Sequence, residues 1–344
     1  MKAARVVAPG QPFTLEEVPI PKPGPDEVLV RIAACGICAS DLHVVEGLTP
    51  PPGVTFPLTP GHEIAGKVVE VGPEVHGIAP GDRVAAHPNI PCGTCANCRL
   101  GLPTLCADLQ VMGYHRLGGY CEYTTVPVVA AIRIPEGLPL EHAAIVPDAV
   151  ATPYHALITR GGLQAGESVA IFGMGGLGAH ALLIARLVGA QRIIAVVRRP
   201  EAAVRGREFG ATDVVVSLEG NPARAVKDLT GGGVDLAADF TGIASVIATA
   251  LASVRMGGRA VVAGMSNEKM ALVSSVHFAR WELALVGAFA SSPWEAELVM
   301  ALAAEGTLDL SRSITHRFPL DQVREAVACL RNRAGNPVRV VLTP

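Results

Sequence analysis

Apolar residues recur along this chain in two rhythms, and the change between them falls near residue 154. Before it, short β-branched runs alternate with turn signals. VLVRIA (28–33), IAGKVVEVG (64–72) and DRVAAH (82–87) are separated by segments such as PGPDE and APGD. Runs of this length between Gly/Pro punctuation predict an all-β segment of barrel-like character. After residue 154 the runs become continuously apolar. ESVAIF (167–172), RIIAVV (192–197), DVVVS (213–217), VDLAADF (234–240), GRAVVAG (258–264) and ELALVGAF (282–289) make six strand candidates. Helical patterns lie between them, over 177–190 and near 201–209, 222–230 and 244–254. Apolar strands alternating with helices imply an α/β fold, a doubly wound parallel sheet covered on both faces. The tail is mixed, with helices near 294–305 and 321–331 before a last strand, VRVVLTP. No internal repeat or low-complexity tract interrupts the pattern.

Length and composition narrow the function classes. A chain of 344 residues suggests about two domains. Half of it is hydrophobic and only 17% charged, which supplies apolar area for large cores. Aromatics are 4%, so Val, Ala, Leu and Ile must fill them. The net charge of −3 argues against the basic face that nucleic-acid binding requires. No run of 18 charge-free apolar residues predicts a membrane span. The first residues, MKAARVVAPGQPF, lack the pattern of a signal peptide. The eight cysteines cluster at metal-ligand spacing and form no scattered disulfide framework, so the expected location is reducing and cytoplasmic.

Four of those cysteines, Cys92, Cys95, Cys98 and Cys106, form C-x2-C-x2-C-x7-C in a Gly/Pro-rich loop. Four thiolates this close suit a tetrahedral zinc closed to substrate. A zinc-ribbon nucleic-acid module is the alternative, and the acidic balance with no interleaved basic and aromatic residues argues against it. A second set, Cys38 with His62-Glu63 in PGHEIAG, offers soft and nitrogen donors for another metal. No second histidine follows His62 by four residues, so the zincin protease pattern is absent. Cys35, Cys121 and Cys329 fall outside both sets and read as small buried apolar residues.

The run Gly173-Met174-Gly175-Gly176-Leu177-Gly178 matches G-x-G-x-x-G and stands between a strand candidate and a helix candidate. In that context Gly173 permits the tight turn, Gly175 close approach of a pyrophosphate, and Gly178 close helix–strand packing. The helix N-terminus offers N–H groups and a positive dipole end to phosphate. At the end of the second strand, where NAD-binding chains place a carboxylate on the ribose 2′-OH, this chain has Val197 followed by Arg198 and Arg199. Two guanidinium groups suit a 2′-phosphate, so NADP(H) is expected over NAD(H).

Taken in order, Cys38-Ala39-Ser40-Asp41-Leu42-His43, Gly61-His62-Glu63, the four-cysteine loop and the glycine loop resemble the zinc-dependent medium-chain alcohol dehydrogenases over essentially the whole chain. The resemblance implies a GroES-like β-barrel catalytic domain over 1–152, with a structural zinc lobe at 88–110. It implies a Rossmann coenzyme domain over 153–289 and a return to the catalytic domain over 290–344. It further implies a catalytic zinc held by Cys38, His62 and a third ligand just before the coenzyme domain. There the family usually has Cys, and this chain has Asp148. One thiolate and one carboxylate still neutralise Zn²⁺.

By the same resemblance Glu63 stands beside the metal, with a buried salt-bridge partner as the alternative reading. Ser40 and His43 relay the proton, linked in the family by the nicotinamide ribose, and Asp41 bonds backbone near the metal. Thr152, Thr241 with Gly242, and Arg339 contact coenzyme. The implied activity is hydride transfer between NADP(H) and an alcohol, aldehyde or ketone, in a dimer or tetramer holding two zinc ions per subunit. Rival readings are a polyol or sugar dehydrogenase, a reductase of an activated C=C bond, and a non-catalytic relative. Val45, Leu48, Pro88 and Trp281, on loops around 45–58, 87–91, 112–116 and 265–292, suggest an apolar pocket for a hydrophobic alcohol.

Overall fold

A computed structural model describes residues 1–270 and 272–344. Ala271, inside the 265–292 segment expected to line a pocket, lies outside the described residues. The chain divides into two units, Met1–Ala151 with Ser291–Pro344, and Thr152–Ala290.

The first unit is built on a seven-stranded sheet. Its order is Ile314–Pro319, Arg339–Thr343, Glu27–Ile37, Glu63–Val71, Arg83–Ala86 and Ala131–Arg133, with Tyr123–Pro127 also pairing to Glu27–Ile37. All pairings are antiparallel except the one between the first two strands. Alternate residues of the long strand, including Val28, Val30 and Ile32, enter a core shared with Val68, Val84 and Val126. Cys35, Cys121 and Cys329 are in the same core. So is Val45, which removes it from the expected pocket wall.

The second unit is a six-stranded, wholly parallel sheet. Its order is Asp213–Val216, Arg192–Val197, Ser168–Phe172, Val234–Asp239, Val254–Val262 and Ala284–Gly287. The first strand in sequence sits third in the sheet, with the chain winding outward in both directions, as in Rossmann folds. Helix Gly176–Val188 packs Gly178, Ala181, Leu182 and Ala185 inward and ends at Gly189, whose φ of 85° is a left-handed cap.

Two local expectations shift. The helix expected to 254 ends at Ala252, and the strand expected from 258 starts at Val254. Gly257-Gly258 breaks the apolar rhythm of that strand, while Val254 still pairs with Val234 across a register irregularity. Trp281 packs against the core of this second unit, under the Lys227 ammonium (4.7 Å) and beside His277. That placement accounts for its apolar surface without a substrate pocket.

Candidate functional site

Strand register assembles the first cluster. Gly36 pairs with Glu63 and Ile37 with Val340, so three neighbouring strands bring their ends to one place. Cys38 follows the first strand and starts helix Ala39–Val45, His62 precedes the second, and Arg339 opens the third. Asp148 arrives from a π-helical turn, Val146–Val150, that follows helix Leu140–Ile145. Such turns widen the helix locally and recur at functional positions. As a result one donor atom from each of Cys38, His62, Glu63 and Asp148 lies within 4.8 Å of the others.

Asp41 is the support of this cluster. Its carboxylate accepts from the Cys38 N–H (3.1 Å), the Gly61 N–H (3.3 Å) and the Tyr120 hydroxyl (3.0 Å), and meets His62 Nδ1 at 2.8 Å. With Nδ1 engaged, Nε2 is left toward the cluster, 3.4 Å from Asp148 Oδ2. An anchored second nitrogen is the usual means of fixing a metal-binding imidazole. Glu63 is fully buried and ion-paired to Arg339. Burial pushes its carboxyl pKa up, and the Arg339 charge and hydrogen bond oppose this and favour the ionised form. Burial alone would raise Asp148 as well, but the His62 hydrogen bond and charge outweigh it and hold the carboxyl below its ordinary range. Gly36 is required here, since a Cβ would stand 1.8 Å from Glu63 Oε2.

The donor set fits zinc. A thiol, an imidazole with its second nitrogen anchored, and a carboxylate kept ionised are accepted ligands, and Glu63 Oε2 is buried with no hydrogen-bond partner among the described residues. Ser40 and His43 sit half-buried on the short helix after Cys38, three residues apart on one face.

Cys92, Cys95, Cys98 and Cys106 form the second cluster, also within 4.8 Å. Hydrogen bonds around Thr94 and Cys95 pull the Cys92 thiol down to about 6, whereas burial and the neighbouring thiols push Cys98 up to about 12. Bringing all four to the thiolate form takes a cation at their centre, and the set fits zinc.

In the second unit Gly173 leaves its strand with φ of 95°, and a Cβ there would meet Thr241 Cγ2 at 2.6 Å. A Cβ on Gly178 would stand 1.7 Å from the Gly173 carbonyl. Gly175 caps the helix begun by Gly176 and Leu177, with open space around its α-carbon. Asp239, a residue that sequence reasoning missed, holds the facing turn. Its carboxylate accepts from the Thr241 hydroxyl (2.6 Å) and the Gly242 N–H (2.8 Å). Arg205, also missed, is buried and donates to the Met174 carbonyl of the glycine loop. Arg198 and Arg199 are exposed just past the strand end, and Thr152 is buried. Arg339, expected at a pyrophosphate, has its guanidinium on Glu63, and its 4% exposure rules out a solvated strand residue.

Comparison with known proteins matches this geometry. Residues 24–136 match the alcohol dehydrogenase GroES-like domain, and residues 176–305 the zinc-binding dehydrogenase domain. A sorbitol dehydrogenase from Bacillus subtilis is 32% identical over 100% of this chain and 97% of its own length. An L-threonine 3-dehydrogenase from Bacillus licheniformis is 30% identical over 99% of this chain and 98% of its own. The structure of a zinc-binding dehydrogenase from Sinorhizobium meliloti 1021, bound to NADP, superposes with a TM-score of 0.91 at 35% identity, covering 100% of this chain and 99% of that one. Similarity of this extent, across both units, places the chain in the zinc-dependent medium-chain dehydrogenase family.

Proposed function

We propose that this dehydrogenase is an NADP(H)-preferring zinc alcohol dehydrogenase or carbonyl reductase, a cytoplasmic homo-oligomer acting on a small alcohol and its aldehyde or ketone. The observation that carries the reading is the convergence of Cys38, His62, Glu63 and Asp148. Cys38, His62 and Asp148 are the ligands of the catalytic zinc, Glu63 stands beside it, and the four cysteines hold a structural zinc. Bound there, zinc supplies Lewis acidity toward an alcohol or carbonyl oxygen, and the nicotinamide supplies or accepts the hydride.

The chain's own residues do the rest. Asp41 and Tyr120 fix the His62 ring. Ser40 takes the substrate hydroxyl proton and His43 receives it. Gly173, Gly175, Gly176, Leu177 and Gly178 bring backbone N–H groups to the pyrophosphate, with Thr152 and Thr241 as further coenzyme contacts and Arg339 as a third through the Nε that its Glu63 pair leaves without a partner among the described residues. Arg198 and Arg199 meet the 2′-phosphate. Their exposed position at the strand end and the NADP in the Sinorhizobium neighbour support that assignment. A polyol substrate is the second reading, favoured by the sorbitol dehydrogenase relative.

Steady-state kinetics with NADPH and NADH over a small aldehyde and ketone panel test the proposal. NADPH is expected to give the higher kcat/KM, and exchanging both arginines for alanine to remove the difference. A clear preference for NADH in the parent enzyme contradicts the assignment.

A further inference from the structure

Asp239 ends the strand Val234–Asp239, which lies in the parallel sheet between Ser168–Phe172 and Val254–Val262. Sheets of this class bind ligands outside the carboxyl ends of their strands, where the chain turns away. Asp239 bonds to two of the three turns at that place. Its main-chain carbonyl accepts from the Ala263 N–H (2.9 Å) and the Gly264 N–H (3.1 Å), in the turn after Val254–Val262. Its carboxylate holds the turn that follows it. Oδ1 accepts from the Thr241 N–H (3.1 Å) and hydroxyl (2.6 Å), and Oδ2 from the Gly242 N–H (2.8 Å). The Thr241-Gly242 turn is in turn wedged between its neighbours. A Cβ on Gly173, where the glycine loop begins, would meet Thr241 Cγ2 at 2.6 Å, and a Cβ on Gly264 would stand 2.0 Å from the Gly242 nitrogen. A displacement of the middle turn is therefore passed to the glycine loop.

The residue type is costly for a turn alone. The Asp239 side chain is fully buried, and no charged group among the described residues acts on it. Burial pushes its carboxyl above the usual range, and the hydrogen bonds from Thr241 and Gly242 oppose this. Both oxygens only accept, as in an ionised carboxylate. A buried charge with no opposite charge beside it is expensive, and charges held in that way cluster at functional sites. Asparagine has the same shape but a single acceptor oxygen, so it cannot serve the Thr241 and Gly242 donors together.

We propose that Asp239 is a positioning residue for the coenzyme, fixing the Thr241-Gly242 turn against the glycine loop and so setting the affinity for the part that NADP(H) and NAD(H) share. This rests on the coenzyme site proposed above and deepens it. Arg198 and Arg199 follow Arg192–Val197, on the other side of Ser168–Phe172 from Asp239. The arginines discriminate between the two coenzymes, and Asp239 does not.

Equilibrium titration of the zinc-loaded protein with NADPH and, separately, with NADH tests this through the coenzyme's fluorescence, without turnover. Asp239→Asn is expected to weaken both by the same factor, about tenfold, the worth of one hydrogen bond to a charged acceptor. Ser266→Ala loosens the same turn from an exposed position, since the Ser266 hydroxyl donates to the Gly242 carbonyl (2.6 Å). It is expected to weaken both coenzymes about threefold, as for a neutral hydrogen bond. A role in folding alone lowers the urea midpoint of Asp239→Asn and leaves both Kd values of the folded protein unchanged, and that result overturns the proposal. A loss confined to NADPH overturns it as well. Should Asp239→Asn fail to fold, Ser266→Ala decides, and unchanged Kd values there overturn the proposal. A parent protein that binds neither coenzyme overturns the coenzyme site itself.

Discussion

Arg339 and Glu63 form an ion pair taken almost wholly out of water, with side chains 4% and 0% exposed. Two charges so placed are tolerable only together, because removing one leaves the other desolvated and unpaired. Arg339→Met should therefore destabilise the fold by about 3–5 kcal/mol, read as a lower urea midpoint at unchanged slope. The double variant Arg339→Met with Glu63→Gln should recover much of that loss, and a single variant as stable as the parent contradicts the pairing. Sequence could nominate Glu63 for its place after His62 but could not supply its partner, 276 residues away. Asp41 was open to a structural reading, and its bond to the Cys38 N–H is a local helix cap, yet the contacts to Gly61, His62 and Tyr120 need segments 20 to 79 residues away to pack against it. A Cβ on Gly61 would strike the Tyr120 ring at 2.4 Å.

At the scale of elements, helix Ala39–Val45 carries the proton-relay proposal. Its register sets Ser40 and His43 on one face, while Asp41 turns inward and is fully buried. Ser40→Ala should lower turnover by about 10²–10⁴, the usual worth of positioned proton transfer, with coenzyme Kd unchanged. Unaltered turnover removes Ser40 from the mechanism. The six parallel strands were readable because each is a continuous apolar run between helical patterns, and Arg192–Val197 falls where the run RIIAVV predicts it. The π-helical turns Val146–Val150 and His155–Arg160 were not, because a wide turn leaves no period that differs visibly from an apolar α-helix over five or six residues. Asp148 was found through its resemblance to a ligand position, not through its local structure.

At the scale of the molecule, each unit contributes one kind of chemistry. The unit of Met1–Ala151 and Ser291–Pro344 contains both metal-donor clusters, and the unit Thr152–Ala290 the glycine loop with its two following arginines. No helix among the described residues is long and apolar enough to cross a membrane. On the proposed reading Asp148 stands where the family usually has cysteine and completes a metal site separate from the four-cysteine one. Zinc content per chain tests it most directly, measured on the parent and on Asp148→Ala after dialysis against a weak chelator. Two zinc ions per chain are expected in the parent and one in the variant, with NADP(H) binding retained. A variant that keeps both zinc ions as firmly as the parent would contradict it.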